Sequence, residues 1–294
     1  MRRLIVPAAV VAVALLLPAP VLARPARVHA IGAQLVVGGL DWPAAFTFAP
    51  DGRIFYGERY TGTIRIYDPA TGSTTPFFTI TGLETDGERG LLGVALSPNY
   101  ATRPFVYAYA TRSVNGTIEN QIIRIRDMGG TGKSARVIFT EDVEASTIHN
   151  GGRILFGPDG KLYVVIGEAN DPSNSQNLTN DAGKILRMTA TGGVPPDNPF
   201  PGSRIWTYGH RNSYGFTFDP LTRNIWEPEN GPACNDEINL VTKGANYGWG
   251  PNENCADPNP PSNTNQDGPN PVLRSPGSRQ RSRRSAPRSA SGAA

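Results

Sequence analysis

Hydrophobic residues in this chain come in short runs broken by proline and glycine. Nowhere do they recur at the three-to-four spacing of a long amphipathic helix. One device repeats. Phe48-Ala49-Pro50-Asp51-Gly52-Arg53 reads as a strand end, a tight turn and the start of a new strand, Ile54-Phe55-Tyr56. Leu96-Ser97-Pro98-Asn99, Phe156-Gly157-Pro158-Asp159-Gly160 and Phe218-Asp219-Pro220-Leu221 repeat it, with starts 48, 60 and 62 residues apart. A recurring unit of this size, made of strands without helices, predicts an all-β chain built as blades of a β-propeller. A sandwich of hairpins is the competing arrangement. Glu58, Glu168 and Glu229 each follow a strand of such a unit at a similar offset. In a propeller, those equivalent strand ends converge on one face near the axis.

Composition supports the short strands, with 33 glycines and 27 prolines in 294 residues. The chain opens like an export signal: Arg2 and Arg3, an apolar run from Leu4 to Leu17, and a small-residue cleavage site at Val21-Leu22-Ala23. The run is short for a membrane span and Pro18 and Pro20 follow closely, so no stable membrane anchor is expected and the mature chain is placed in a bacterial periplasm or secreted. In such an oxidising compartment Cys234 and Cys255 are expected to pair as a disulfide. Two cysteines alone make a poor zinc site.

The formal charge of +3 misleads. Six arginines fall in the last 21 residues and two more among the first three, and removing those eight charges turns +3 into −5. The folded body therefore has no basic surface to offer nucleic acid. Residues 273–294 lack aromatic and acidic side chains and cannot bury a core, so a disordered tail is expected. It reads either as a basic tail for an anionic partner or as the product of a shifted reading frame in GC-rich DNA. The second is preferred.

Two segments concentrate chemistry. Thr207 to Gly250 carries His210, Arg211, Asn212, Glu229, Asn230, Asp236 and Glu237 among glycines and beside Trp226, Tyr247 and Trp249. His149 to Asp171 is similar in style. Short strands that deliver polar side chains and bare carbonyls to one place build a site for a polar ligand or a metal.

Several motifs in order resemble the soluble glucose/sorbosone dehydrogenase family, whose compact members are aldose sugar dehydrogenases. They are Glu88-Arg89-Gly90-Leu91-Leu92-Gly93, His149-Asn150-Gly151-Gly152-Arg153, Gly167-Glu168, Gly183-Lys184-Ile185-Leu186, Gly209-His210-Arg211-Asn212, Glu229-Asn230-Gly231-Pro232, Asp236-Glu237-Ile238-Asn239 and Gly244-Ala245-Asn246-Tyr247-Gly248-Trp249. The resemblance covers residues 34 to about 272 and implies a six-bladed propeller domain that binds pyrroloquinoline quinone (PQQ) and calcium. It implies oxidation of aldose sugars at the anomeric carbon to lactones, with electrons passed to an external acceptor. This chain carries about four blade-like units, so the resemblance leaves it short and its activity in doubt.

The resemblance also assigns roles. His149 matches the base that takes the hydroxyl proton, and a neutral imidazole suits that task near neutral pH. Glu168 matches the acid that holds its tautomer. Arg211 matches a fixed guanidinium that stabilises negative charge on the quinone, with Asn212 as a further cofactor contact. Asn230 and Glu88 match cofactor or substrate contacts; larger members carry glutamine in place of Glu88. Gly231 and Pro232 match the carbonyl donors to calcium, a cation that prefers hard oxygen ligands. Asp236 and Glu237 match acids near that loop, with backbone amides as their expected partners. A non-catalytic propeller that binds a protein or glycan is the alternative class. A calcium-dependent lactone hydrolase is a third, disfavoured because the loop offers carbonyls rather than a ring of carboxylates.

Overall fold

A computed structural model describes residues 32–234, 236–252, 255 and 266–272. The expected signal segment and the Arg/Ser tail lie outside the described residues. The chain divides into two units, Met1–Leu35 and Val36–Ala294, and everything below belongs to the second.

Among the described residues, four antiparallel sheets follow one another in chain order. The first runs β1 (Pro43–Phe48), β2 (Ile54–Glu58), β3 (Thr63–Asp68), β4 (Ser73–Thr79), and the second β5 (Leu91–Leu96), β6 (Phe105–Val114), β7 (Thr117–Asp127), β8 (Gly132–Thr140). The third holds β9 (Ile154–Phe156), β10 (Leu162–Ile166), β11 (Lys184–Met188) and β12 (Ile205–Tyr208). The fourth has three strands, β13 (Thr217–Phe218), β14 (Ile225–Glu229) and β15 (Glu237–Val241). Within each sheet spatial order equals chain order, so these are blades of a propeller, four among the described residues. One helical turn, α1 (Ser173–Gln176), interrupts the third.

The repeated turn sits at one fixed place in the blade. In all four sheets it joins the first strand to the second: Gly52 N–H donates to Ala49 O at 3.0 Å, and Gly160 N–H to Gly157 O at 2.9 Å. Asp219 N–H donates to Asn224 O at 2.8 Å, and Ser97 N–H to Phe105 O at 2.9 Å.

Each core layer lies between successive blades. Phe55, Ile64, Ile66 and Phe77 of the first pack against Leu91, Val94, Val106 and Ala108 of the second. Tyr107, Tyr109 and Ile122 then meet Ile154, Val164 and Leu186 of the third, and Tyr163, Val165 and Ile185 meet Phe216, Ile225 and Val241 of the fourth. Because a blade is apolar on both faces, its two end members leave a face bare: Phe46 and Phe48 on β1 are 54% and 65% exposed, and Ile238 on β15 is 71% exposed. Packed blades thus fix the strand ends on which the polar motifs ride.

Candidate active site

The three glutamates at equivalent strand ends have separate fates. Glu58 closes β2 and is spent inside its own blade, accepting from Arg65 Nε at 2.7 Å and Thr61 Oγ1 at 3.0 Å. Glu168 follows β10 and faces His149, whose Nδ1 lies 2.8 and 2.7 Å from the two carboxylate oxygens. Glu229 ends β14 and lies 3.1 Å from Nδ1 of His210.

His149 occupies the turn before β9 with φ of 62°, the left-handed region that a non-glycine residue adopts at a cost. Its amide donates to Glu88 Oε2 at 2.7 Å, and its carbonyl runs so close to Gly167 that a Cβ there would sit 2.2 Å from it. Only glycine fits position 167. With Nδ1 committed to Glu168, the free edge of the imidazole is Nε2, for which no hydrogen bond is formed among the described residues. The side chain is nearly buried, at 7% exposure.

Glu88 is a hub. One oxygen accepts from His149 N–H and from Asn212 Nδ2 at 3.2 Å, and its charge, after burial, helps push the Tyr214 hydroxyl pKa up. Asn212 is buried and also accepts Gly151 N–H on its Oδ1 at 3.1 Å. It is therefore a crosslink between the His149 turn and Glu88, and its side chain also bonds the Tyr214 hydroxyl. Arg211 donates its backbone N–H to Glu229 at 2.6 Å and accepts Glu168 N–H on its carbonyl at 2.9 Å. Its guanidinium lies 5.4 Å from the Trp249 ring and donates to Asn230 O at 3.2 Å. It forms no ion pair among the described residues. The backbone of Arg211 thus links the His149–Glu168 pair to the Glu229 strand end.

Beside these groups a cleft of about 210 Å³ is lined by Ala44, Arg59, Glu88, Leu92, Gly151 and Tyr214. Ala44 is on β1 and Leu92 on β5, the first strands of their sheets, and Gly151 precedes β9, so the cleft opens where first strands converge. Its rim carries both charges, suited to a ligand rich in hydroxyls.

The Gly231-Pro232 loop has its donors spent. Gly231 N–H goes to Asp236 Oδ1 at 3.0 Å, as the expected amide partner of that acid, and proline has none. Gly231 and Pro232 are half-buried, and the backbone carbonyls they carry are hard oxygens of the kind calcium takes. The loop runs into Cys234, which is bridged to Cys255 as expected. The Arg211 guanidinium, with no carboxylate partner among the described residues and an aromatic face beneath it, fits an anionic planar group.

Sequence reasoning did not find the second buried cluster. His210 Nδ1 also faces Glu227 Oε2 at 3.3 Å, Nε2 meets Thr207 Oγ1 at 2.9 Å, and the ring stacks on Tyr247 with centroids 4.8 Å apart. Burial opposes the imidazolium, but Glu227 and Glu229 outweigh it and raise the pKa to about 10. Burial, with Glu227 beside it, raises Glu229 to about 8. Alternation in Trp226-Glu227-Pro228-Glu229 carried the signal, since both glutamates fall on the buried phase of β14.

The family described as Glucose / Sorbosone dehydrogenase matches residues 40–276. This chain belongs to that family. It is 32% identical over 247 residues to quinoprotein glucose dehydrogenase B of Acinetobacter calcoaceticus, covering 74% of this chain and 52% of that protein. It is 33% identical over 236 residues to aldose sugar dehydrogenase YliI of Escherichia coli, covering 77% of this chain and 63% of that protein. The PQQ-bound aldose sugar dehydrogenase from Streptomyces coelicolor superposes with a TM-score of 0.68 at 39% identity, over 74% of this chain and 64% of that one. The chain spans less than two thirds of these relatives.

Proposed function

We propose that the propeller, residues 34–272, is a sugar dehydrogenase domain that uses PQQ and calcium to oxidise aldoses at the anomeric carbon, after export directed by residues 1–23. The observation that carries the reading is the His149–Glu168 pair with its Nε2 edge open, tied through the Arg211 backbone to a guanidinium that has no acid of its own. Oxidising a hemiacetal to a lactone removes a hydroxyl proton and a hydride. Nε2 of His149 takes the proton, and Glu168, accepting from Nδ1–H, holds the tautomer and stabilises the imidazolium that forms. PQQ, when bound, supplies the two-electron acceptor. Arg211 stabilises negative charge in the site, Asn230 fixes Arg211 through its carbonyl, and Asn212 and Glu88 hold the turn and one wall of the cleft. The carbonyls of Gly231 and Pro232 would hold calcium, with Asp236 anchoring their loop. An external acceptor then takes the electrons.

Reconstitution of purified protein with PQQ and calcium tests this. Dye reduction that depends on an aldose and is lost with chelator is expected. Quinone-independent binding of a glycan or protein, with no turnover, would instead make the chain a non-catalytic propeller.

A further inference from the structure

The His149 turn is gripped from the neighbouring blade as well as from its own. A non-glycine residue in the left-handed region persists only where its surroundings over-determine it. On the N-terminal side Glu88 takes the His149 amide at 2.7 Å. On the C-terminal side the next residue, Asn150, is held at three points. Its carbonyl accepts the Tyr109 hydroxyl at 2.9 Å, its Nδ2 donates to Ser146 O at 2.9 Å, and its Oδ1 accepts from Asn120 Nδ2 at 3.1 Å. Asn120 sits within β7 of the second blade, 1% exposed, and is absent from the cleft wall. Its amide is used at both ends: Oδ1 accepts Thr111 Oγ1–H at 2.7 Å, and Nδ2 also donates to the buried carboxylate of Glu141 at 2.8 Å. Neither an apolar side chain nor a carboxylate of the same shape reproduces that set, because one cannot bond and the other lacks N–H donors.

We infer that Asn120 is a positioning residue for the candidate base: through Asn150 it fixes the left-handed turn and so the direction of the His149 imidazole. Asn120 never touches ligand; it acts from the adjacent blade, with Thr111 and Glu141 orienting its amide. The inference rests on the reading of His149 as the base for its consequence in turnover, but its geometric part stands without that reading.

The test uses Asn120→Asp, which keeps the size and loses the donors, and Asn150→Ser, which removes the same bond from the turn side and serves if the first variant does not fold. Because the chain has only three histidines, imidazole 15N resonances can be assigned in the intact protein, without quinone. Both variants are expected to shift the His149 signals and leave those of His210 in place. In the PQQ- and calcium-loaded protein, kcat should fall about 10- to 100-fold, with KM for the aldose and quinone affinity unchanged. Unmoved His149 signals in a folded variant, or kcat and KM changing together, would overturn the proposal. Shifted signals in a protein that never turns over sugar would uphold the positioning role and sink the dehydrogenase reading instead.

Discussion

His149 and His210 occupy corresponding places in successive blades and have contrasting surroundings. Each precedes the first strand of its sheet, and each points Nδ1 at a glutamate 19 residues further on, at the end of the second strand or just beyond it. The propeller repeat has thus produced the same buried His–Glu unit twice. At His210 the other ring nitrogen is closed by Thr207, the ring is stacked on Tyr247, and a second carboxylate, Glu227, crowds Nδ1. At His149 there is one carboxylate, the backbone is left-handed, and Nε2 has no partner among the described residues. A histidine–glutamate pair is therefore not in itself a mark of chemistry. What meets the second nitrogen separates an imidazole with an open edge from one closed inside an internal ion pair.

The largest effect that separates the two is on turnover. In the loaded protein His149→Gln should lower kcat about 100- to 10,000-fold, the range of a general base, while thermal stability changes little. Equal turnover in that variant would remove His149 from the mechanism. His210→Gln should act the other way, since it strands Glu227 and Glu229 in the interior without their cation. A loss of about 3 kcal/mol is expected from urea unfolding.

The pH dependence of stability follows from the same contrast. The groups facing His210 are Glu227, Glu229, Thr207 and Tyr247, with Asn239 Nδ2 also bonding both carboxylates. Its folded pKa, about 10, lies above the ordinary value of 6.5. The stability it contributes is complete below 6.5 and is lost as pH rises through about 10. Urea midpoints of the unmodified protein should therefore fall between neutral pH and 10, and His210→Gln should flatten that fall. A slope unchanged by the substitution would show that another group governs it. Smaller again is Glu168→Gln, which keeps the shape but not the charge. About a tenfold to hundredfold loss of kcat with quinone affinity intact is expected; an unaltered kcat would mean that the open nitrogen works without its carboxylate.

Much of this was legible in the chain. The Pro-Asp-Gly turns gave the blade period because their backbone demands are local, and the offset of Glu58, Glu168 and Glu229 pointed to equivalent strand ends. That offset alone did not say which of the three faces a histidine; only the family resemblance singled out Glu168. Glu58 has Arg65 seven residues away on the paired strand, whereas Glu168 finds a histidine only after the sheet forms. Asn212 reads as a further cofactor contact beside Arg211; that folding also brings it to Gly151 and Glu88, the latter 124 positions away, is not legible in sequence order. Asn120 was legible in principle, a polar residue in phase with Ile118 and Ile122, but its partner Asn150 belongs to another blade. Local turn chemistry is written in sequence order; cross-blade bonds are not.

The smallest predicted effect asks whether opening a nitrogen is enough. Thr207→Val is close in shape and removes the hydroxyl that faces Nε2 of His210. One buried bond is lost, so a destabilisation of about 1 kcal/mol is expected. Chemically the variant moves His210 toward the condition of His149, with a carboxylate on one nitrogen and nothing on the other. It does not move His210 into the cleft, whose walls come from β1, β5, the Glu88 and Gly151 turns, Arg59 and Tyr214. In the His149→Gln background, then, Thr207→Val should restore no turnover. Restored turnover would mean that the second pair reaches substrate, and that access, rather than the capping of one ring nitrogen, had been misjudged at His210.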